Sequence, residues 1–143
     1  MIQVKNNQKH LKAAIVAKSA KEKPDQIHKS DEKNRGRIER RETRLYRSVK
    51  DEEFKKWKGL SDVIVVKRSG IRDGKEYENW HYYISSKSGL SAEKYAQEIR
   101  KHWFIENKLH WVKDVIMYED TCRIKDKNNA ANQSMIRNMV MNL

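Results

Sequence analysis

The residues with the clearest chemical potential lie in one stretch, S-A-E-K-Y-A-Q-E-I-R-K-H-W-F-I-E-N-K-L-H-W-V-K-D-V, residues 91–115. Neither Pro nor Gly interrupts it, and Ser91 stands where an N-cap belongs, with Glu93 in the first turn. At about 100° per residue, Ile105, Leu109, Val112 and Ile116 share one face and form a core-facing stripe. His102, Glu106, His110 and Lys113 fall on the adjacent face, within about 80°. A carboxylate held there could bind a divalent cation that bridges to phosphate, and Lys113 could meet a phosphate as a point charge. The same four residues also read as an ordinary charged helix face. Zinc is a poor fit, because His102-x3-Glu106-x3-His110 is not the HExxH pattern and has no further ligands nearby.

A second group is the arginine run Arg35, Arg37, Arg40, Arg41, Arg44 and Arg47. In an extended strand it places arginines on both faces. Such a strand belongs at a sheet edge or against a polyanion. Glu39 and Glu42 offer the plainer account, a solvated face with partly offset charge. Trp103 and Trp111 suit packing, with base stacking as the other use. Cys122 has no evident catalytic partner and reads as a small buried residue.

The elements that position these groups come next. Residues 1–5 read as a strand with no obvious partner nearby. Residues 7–21 read as a lysine-rich helix. Residues 22–35, with the single proline and many charges, read as a loop or disordered linker. Residues 36–49 allow strand or helix, and flanking turn residues favour strand. A short helical turn is expected at 51–57. The apolar V-I-V-V-K-R at 63–68 and aromatic W-H-Y-Y-I-S at 80–85 predict a strand pair joined by a turn at Asp73-Gly74. A polar connection follows at 118–129. The last helix, at 132–143, has Met135, Ile136, Met139, Val140 and Leu143 at helical spacing.

The 143 residues suffice for a real core. Lys and Arg number 32 against 20 Asp and Glu, giving a formal charge of +12. That excess points to a polyanionic partner, most often nucleic acid. With one cysteine there is no disulfide framework, and no apolar run approaches a membrane span. These features lead to the expectation of a cytoplasmic protein with no membrane partner.

Several motifs then resemble one family. I-R-K-H-W-F-I-E-N-K-L-H-W-V-K-D-V, E-D-T-C-R-I-K and N-Q-S-M-I-R-N-M-V-M-N-L are similar to the C-terminal part of bacterial insertion-sequence transposases of the DDE type. The group that includes the H-repeat-associated proteins is the most similar. V-K-N-N-Q-K-H-L resembles its segment after the second catalytic aspartate, and G-R-I-E-R-R and I-R-D-G-K…Y-Y-I-S-S resemble its middle region, in the family's order. The resemblance implies an α+β chain: the C-terminal part of an RNase H-like catalytic domain with a β-rich insertion, lacking the first strands of its sheet. It divides the chain into 1–35 (strand, helix and linker), 36–86 (insertion) and 87–143 (helices with the last acid).

It further implies two-metal phosphoryl transfer with Mg2+ or Mn2+, cutting DNA ends and joining them to target DNA. Glu106 matches the family's metal-binding catalytic glutamate. Lys113 matches the DNA-contacting lysine of the wider Glu-x6-Lys signature. His102 stands where that signature has arginine and Ile99 where it has tyrosine, with Arg100 close by. Arg37, Arg40, Arg41 and Arg44 are the further DNA-binding candidates. Both catalytic aspartates would lie before Met1, so the expectation is a truncated transposase, inactive alone. The rival expectation is a DNA-binding or transposase-binding regulator, working on DNA ends, on full-length transposase or as a homo-oligomer. A third is an unrelated basic β+α nucleic-acid-binding domain.

Overall fold

The computed structural model describes residues 1–34, 37–47, 52–72, 74–105, 115, 117 and 126–141. Two compact units, Met1–Gln97 and Glu98–Leu143, divide the chain. The α+β expectation holds. The first unit is built on an antiparallel five-stranded sheet of β1 (Ile2–Val4), β2 (Gln26–Asn34), β3 (Arg37–Tyr46), β4 (Asp62–Arg72) and β5 (Lys75–Ser85). Their order in the sheet is β1-β5-β4-β3-β2. The helices are α1 (Lys9–Lys21), α2 (Glu52–Lys55), α3 (Ala92–Ile105) and α4 (Lys127–Met141).

Local chemistry explains the central hairpin. Val63, Ile64, Val65 and Val66 are all buried, as a β-branched run in a covered strand should be. The chain reverses between Arg72 and Lys75, which pair directly. Gly74 takes φ 75° there, a left-handed value that glycine adopts without a Cβ clash.

Three expectations change. The loop or linker over 22–35 is strand β2 for most of its length, paired with β3 from Gln26↔Leu45 to Asn34↔Arg37. Its charges mark cross-strand partners: Lys29 faces Glu42 and Asp31 faces Arg40. The strand at Met1 does have a partner, since Ile2, Gln3 and Val4 pair with Ile84, Tyr83 and Tyr82 of β5. β3 is also an interior strand of the sheet, not an edge.

The core lies on one face of the sheet. Val4, Tyr46, Val63, Val65 and Ile84 pack there with Leu11 and Ile15 of α1 and Phe54 of α2. Leu11, Ile15 and Lys18 follow helical spacing and form the buried side of α1. Lys18 reaches Glu22 at 2.7 Å, which partners a charge otherwise costly to bury. Full burial of each large apolar side chain contributes about 1.5–3 kcal/mol. On the opposite face the first turn of α3 is fixed by two bonds. The Ala92 amide donates to the Gln26 side chain at 3.0 Å, and the Tyr95 hydroxyl reaches Asp62 Oδ2 at 2.8 Å.

This cover stops halfway along the long strands. In β4, Asp62–Val66 is buried, the next four residues are half-buried, and Ile71 and Arg72 are exposed. The outer ends of β2, β3, β4 and β5 thus form a blade. Six residues beyond Val66 correspond to about 20 Å of strand.

Candidate nucleic-acid interface

The blade carries the charge. On the face that packs α1 further in, one cross-strand row runs Lys29, Glu42, Lys67 and Trp80 in direct register. The next row outward runs Asp31, Arg40, Ser69 and Glu78. Arg44 lies one row inward, beside Val65. Strand alternation sets this pattern, because every second residue faces the same side.

Acids hold Lys29 and Arg40 loosely, and Lys67 and Arg44 closely. Lys29 lies 3.5 Å from Glu42 and Arg40 3.9 Å from Asp31, with the Lys29 and Arg40 side chains 72% and 73% exposed. Lys67 meets Glu78 at 2.8 Å, and Arg44 meets Glu42 at 2.6 Å. Arg44 and Lys67 each sit 5.2 Å from the centre of the Trp80 ring, within cation–π range. Exposed ion pairs contribute about 0–1 kcal/mol each. A polyanion that neutralises several cations at once and releases counterions can therefore displace them.

The opposite face of the blade is arranged differently. Glu39 accepts bonds from Arg41 at 2.6 Å, from Arg68 at 3.1 and 2.8 Å, and from the Tyr77 hydroxyl at 2.8 Å. Partial burial alone would raise its carboxyl pKa. The bonds from Arg68, Tyr77 and Arg41 outweigh that and hold it at about 2, down from 4.5. Arg41 also lies 3.8 Å from Glu32 and is only 15% exposed. Its charge ties strands together, whereas Lys29 and Arg40 present theirs outward and Arg44 and Lys67 lie half-buried beside Trp80.

Ser91 caps α3: its Oγ accepts from the Lys94 amide at 3.2 Å, and its carbonyl accepts from the Tyr95 amide at 3.0 Å. Arg100, His102 and Trp103 are exposed near the end of this helix, Trp103 to 49%. Ile105, expected in a core stripe, is 50% exposed. Glu106 and Lys113 lie outside the described residues, as do His110, Trp111 and Cys122, and Arg37 is described only as a backbone position of β3. Among the described residues, no three His, Cys, Asp or Glu side chains gather as a metal-ligand set. No described helix is long and apolar enough to cross a membrane.

Sequence reasoning singled out Arg40 and Arg44 but missed Lys29, Lys67 and Trp80. The signal existed only in the register, since these three come from three strands.

Comparison with known proteins follows the same direction. YbfL of Escherichia coli strain K12 is 42% identical over 98% of this chain and 39% of its own length. YhhI of the same strain, an H repeat-associated protein named as a candidate transposase, is 46% identical over 61% of this chain and 24% of its own. YncI of Escherichia coli O157:H7, also named as a candidate transposase, is 42% identical over 73% and 28%. The chain thus spans well under half the length of each relative. No solved structure matches it. The family model described as the transposase DDE domain matches residues 1–143. With every residue inside the match, this chain belongs to the DDE transposases of bacterial insertion sequences.

Proposed function

We propose that this chain serves DNA transposition in two ways. The cationic face of the blade holds DNA through Lys29, Arg40, Arg44 and Lys67, and Glu106 supplies the last carboxylate of the family's metal site. In this reading the sheet is the β-rich insertion of an RNase H-like catalytic domain, and α3 leads toward the acid. The whole-chain match to the transposase DDE domain carries the proposal. When bound, Mg2+ or Mn2+ would supply the Lewis acidity for phosphoryl transfer. Glu106 would be a ligand, and Lys113, His102 and Arg100 would position the DNA backbone nearby.

Neither of the family's two aspartates has a counterpart, by motif order, among these residues. The 143 residues alone are therefore expected to bind DNA without cutting it. Joined to a segment that supplies both aspartates, they should cleave element-end DNA. Glu106→Gln should then abolish cleavage and leave DNA affinity within about threefold. Retained cleavage would remove Glu106 from the site.

A second reading, a regulator that occupies DNA ends or full-length transposase without cutting, is favoured by one observation. The sheet unit Met1–Gln97 has its own core and carries the cationic face. Binding to element ends that blocks cleavage by an intact transposase would support it.

A further inference from the structure

The outer end of the blade carries a feature that phosphate contact does not explain. Ile38 and Ile71 stand one residue past the last paired position, Glu39↔Gly70, on the two adjacent strands β3 and β4. They are 47% and 55% exposed. By alternation they belong to the same face as Arg40 and Lys67. Nothing in the core requires them, because the packed cluster ends at Val65 on that face. On their own face Arg40 stands with the acids Asp31, Glu76 and Glu78, and Arg72 and Lys75 are exposed on the other face at the turn.

The support under this tip is rigid. Arg41 and Arg68 are direct partners across β3 and β4, and Glu39 binds both, together with Tyr77 of β5. Gly70 adds a close approach: a Cβ there would lie 2.4 Å from the Ile38 carbonyl oxygen. The strands are thus drawn together just beneath the two isoleucines. A stiff β projection with branched apolar residues at its end and cations beside them has the physical form of a wedge. Apolar side chains of this kind enter between base steps and kink duplex DNA, while flanking cations take the phosphates.

We propose that the blade tip bends duplex DNA, with Ile38 and Ile71 pressed against a base step. The proposal rests on the DNA-binding reading above and adds the mode of contact. Charge selects this occupant over a second copy of the chain. At a formal charge of +12 two copies of the chain repel one another, whereas a polyanion is drawn to the same surface.

The test uses the full 143-residue chain and a duplex of about 40 base pairs, labelled at both ends for energy transfer. Light scattering gives the oligomeric state. Wild type should bind and shorten the end-to-end distance, consistent with a bend of about 20° or more. The double variant Ile38→Ala/Ile71→Ala should keep affinity within about threefold and lose most of the bend. Leucine at both positions should keep it. An equal bend in the alanine variant, or binding by wild type without a bend, overturns the proposal. So does a wild-type dimer that the alanine variant breaks, since a second copy would then cover the tip. Absence of any DNA binding by wild type would instead overturn the DNA reading itself, and the wedge with it.

Discussion

Arg68 holds Glu39 with two prongs: Nε donates to one carboxylate oxygen at 3.1 Å and Nη2 to the other at 2.8 Å. The pair ties β4 to β3 in the half-buried outer part of the sheet. It gives a pH prediction with a definite sign. The Glu39 pKa is depressed in the folded state to about 2 from 4.5. Its stabilisation is therefore complete above the unfolded value and lost as pH falls from 4.5 toward 2. Because the site is partly solvated, about 1–2 kcal/mol is expected rather than the full shift. Melting temperatures of wild type and Glu39→Gln should differ at pH 7, draw together as pH falls from 4.5, and meet only below about 2. Parallel curves across that range would show that the Arg68 contact contributes nothing to folding.

Gly70→Ala should be destabilising. The new Cβ would meet the Ile38 carbonyl oxygen at 2.4 Å and the Tyr77 ring at 3.2 Å. The carbonyl belongs to a paired strand and cannot swing away as a flexible side chain would. Overpacking of this kind costs about 1–3 kcal/mol. Denaturant unfolding measures it, and an unchanged midpoint would mean that the strands separate freely at the tip.

Tyr95 is fully buried, and its hydroxyl lies 2.8 Å from Asp62 Oδ2 and 2.7 Å from the Lys87 carbonyl oxygen. Tyr95→Phe keeps the ring but removes the hydroxyl's proton; the Lys87 carbonyl still accepts from Ser61 Oγ at 2.7 Å, so the loss falls on buried Asp62. A buried acceptor left unpaired costs about 1–3 kcal/mol. The loss should be local, seen as faster amide exchange in the first turns of α3 than in β4. Equal protection in the variant would make the hydroxyl a bystander.

What the sequence made legible was local. The reversal at Gly74, the V-I-V-V strand and the Ser91 cap each depend on a few neighbouring residues. β2 was not legible because no periodicity marks it. Its residues become a strand through partners such as Glu42 and Arg40 on β3, which only the register brings opposite. The partner of β1 was hidden for the same reason, with Gln3 paired to Tyr83 eighty residues away. The arginine run suggested an edge strand. The structure instead places it inside the sheet, where Glu39 and Glu42 neutralise Arg41 and Arg44 and make an interior position tolerable. Half of the cationic face followed from Arg40 and Arg44. Lys29 and Lys67 needed the fold.

The most direct measurement is the salt dependence of DNA binding by the 143-residue chain, by fluorescence anisotropy on labelled element-end duplex. Each phosphate contact contributes about −0.9 to the slope of log K against log salt. The account predicts tight, salt-sensitive binding by wild type. The variant Lys29→Gln/Arg40→Gln/Lys67→Gln should bind more weakly, with a slope shallower by about 2–3 and an unchanged melting temperature. Equal affinity and slope in the two proteins would contradict it, and DNA would then have to lie elsewhere on the chain.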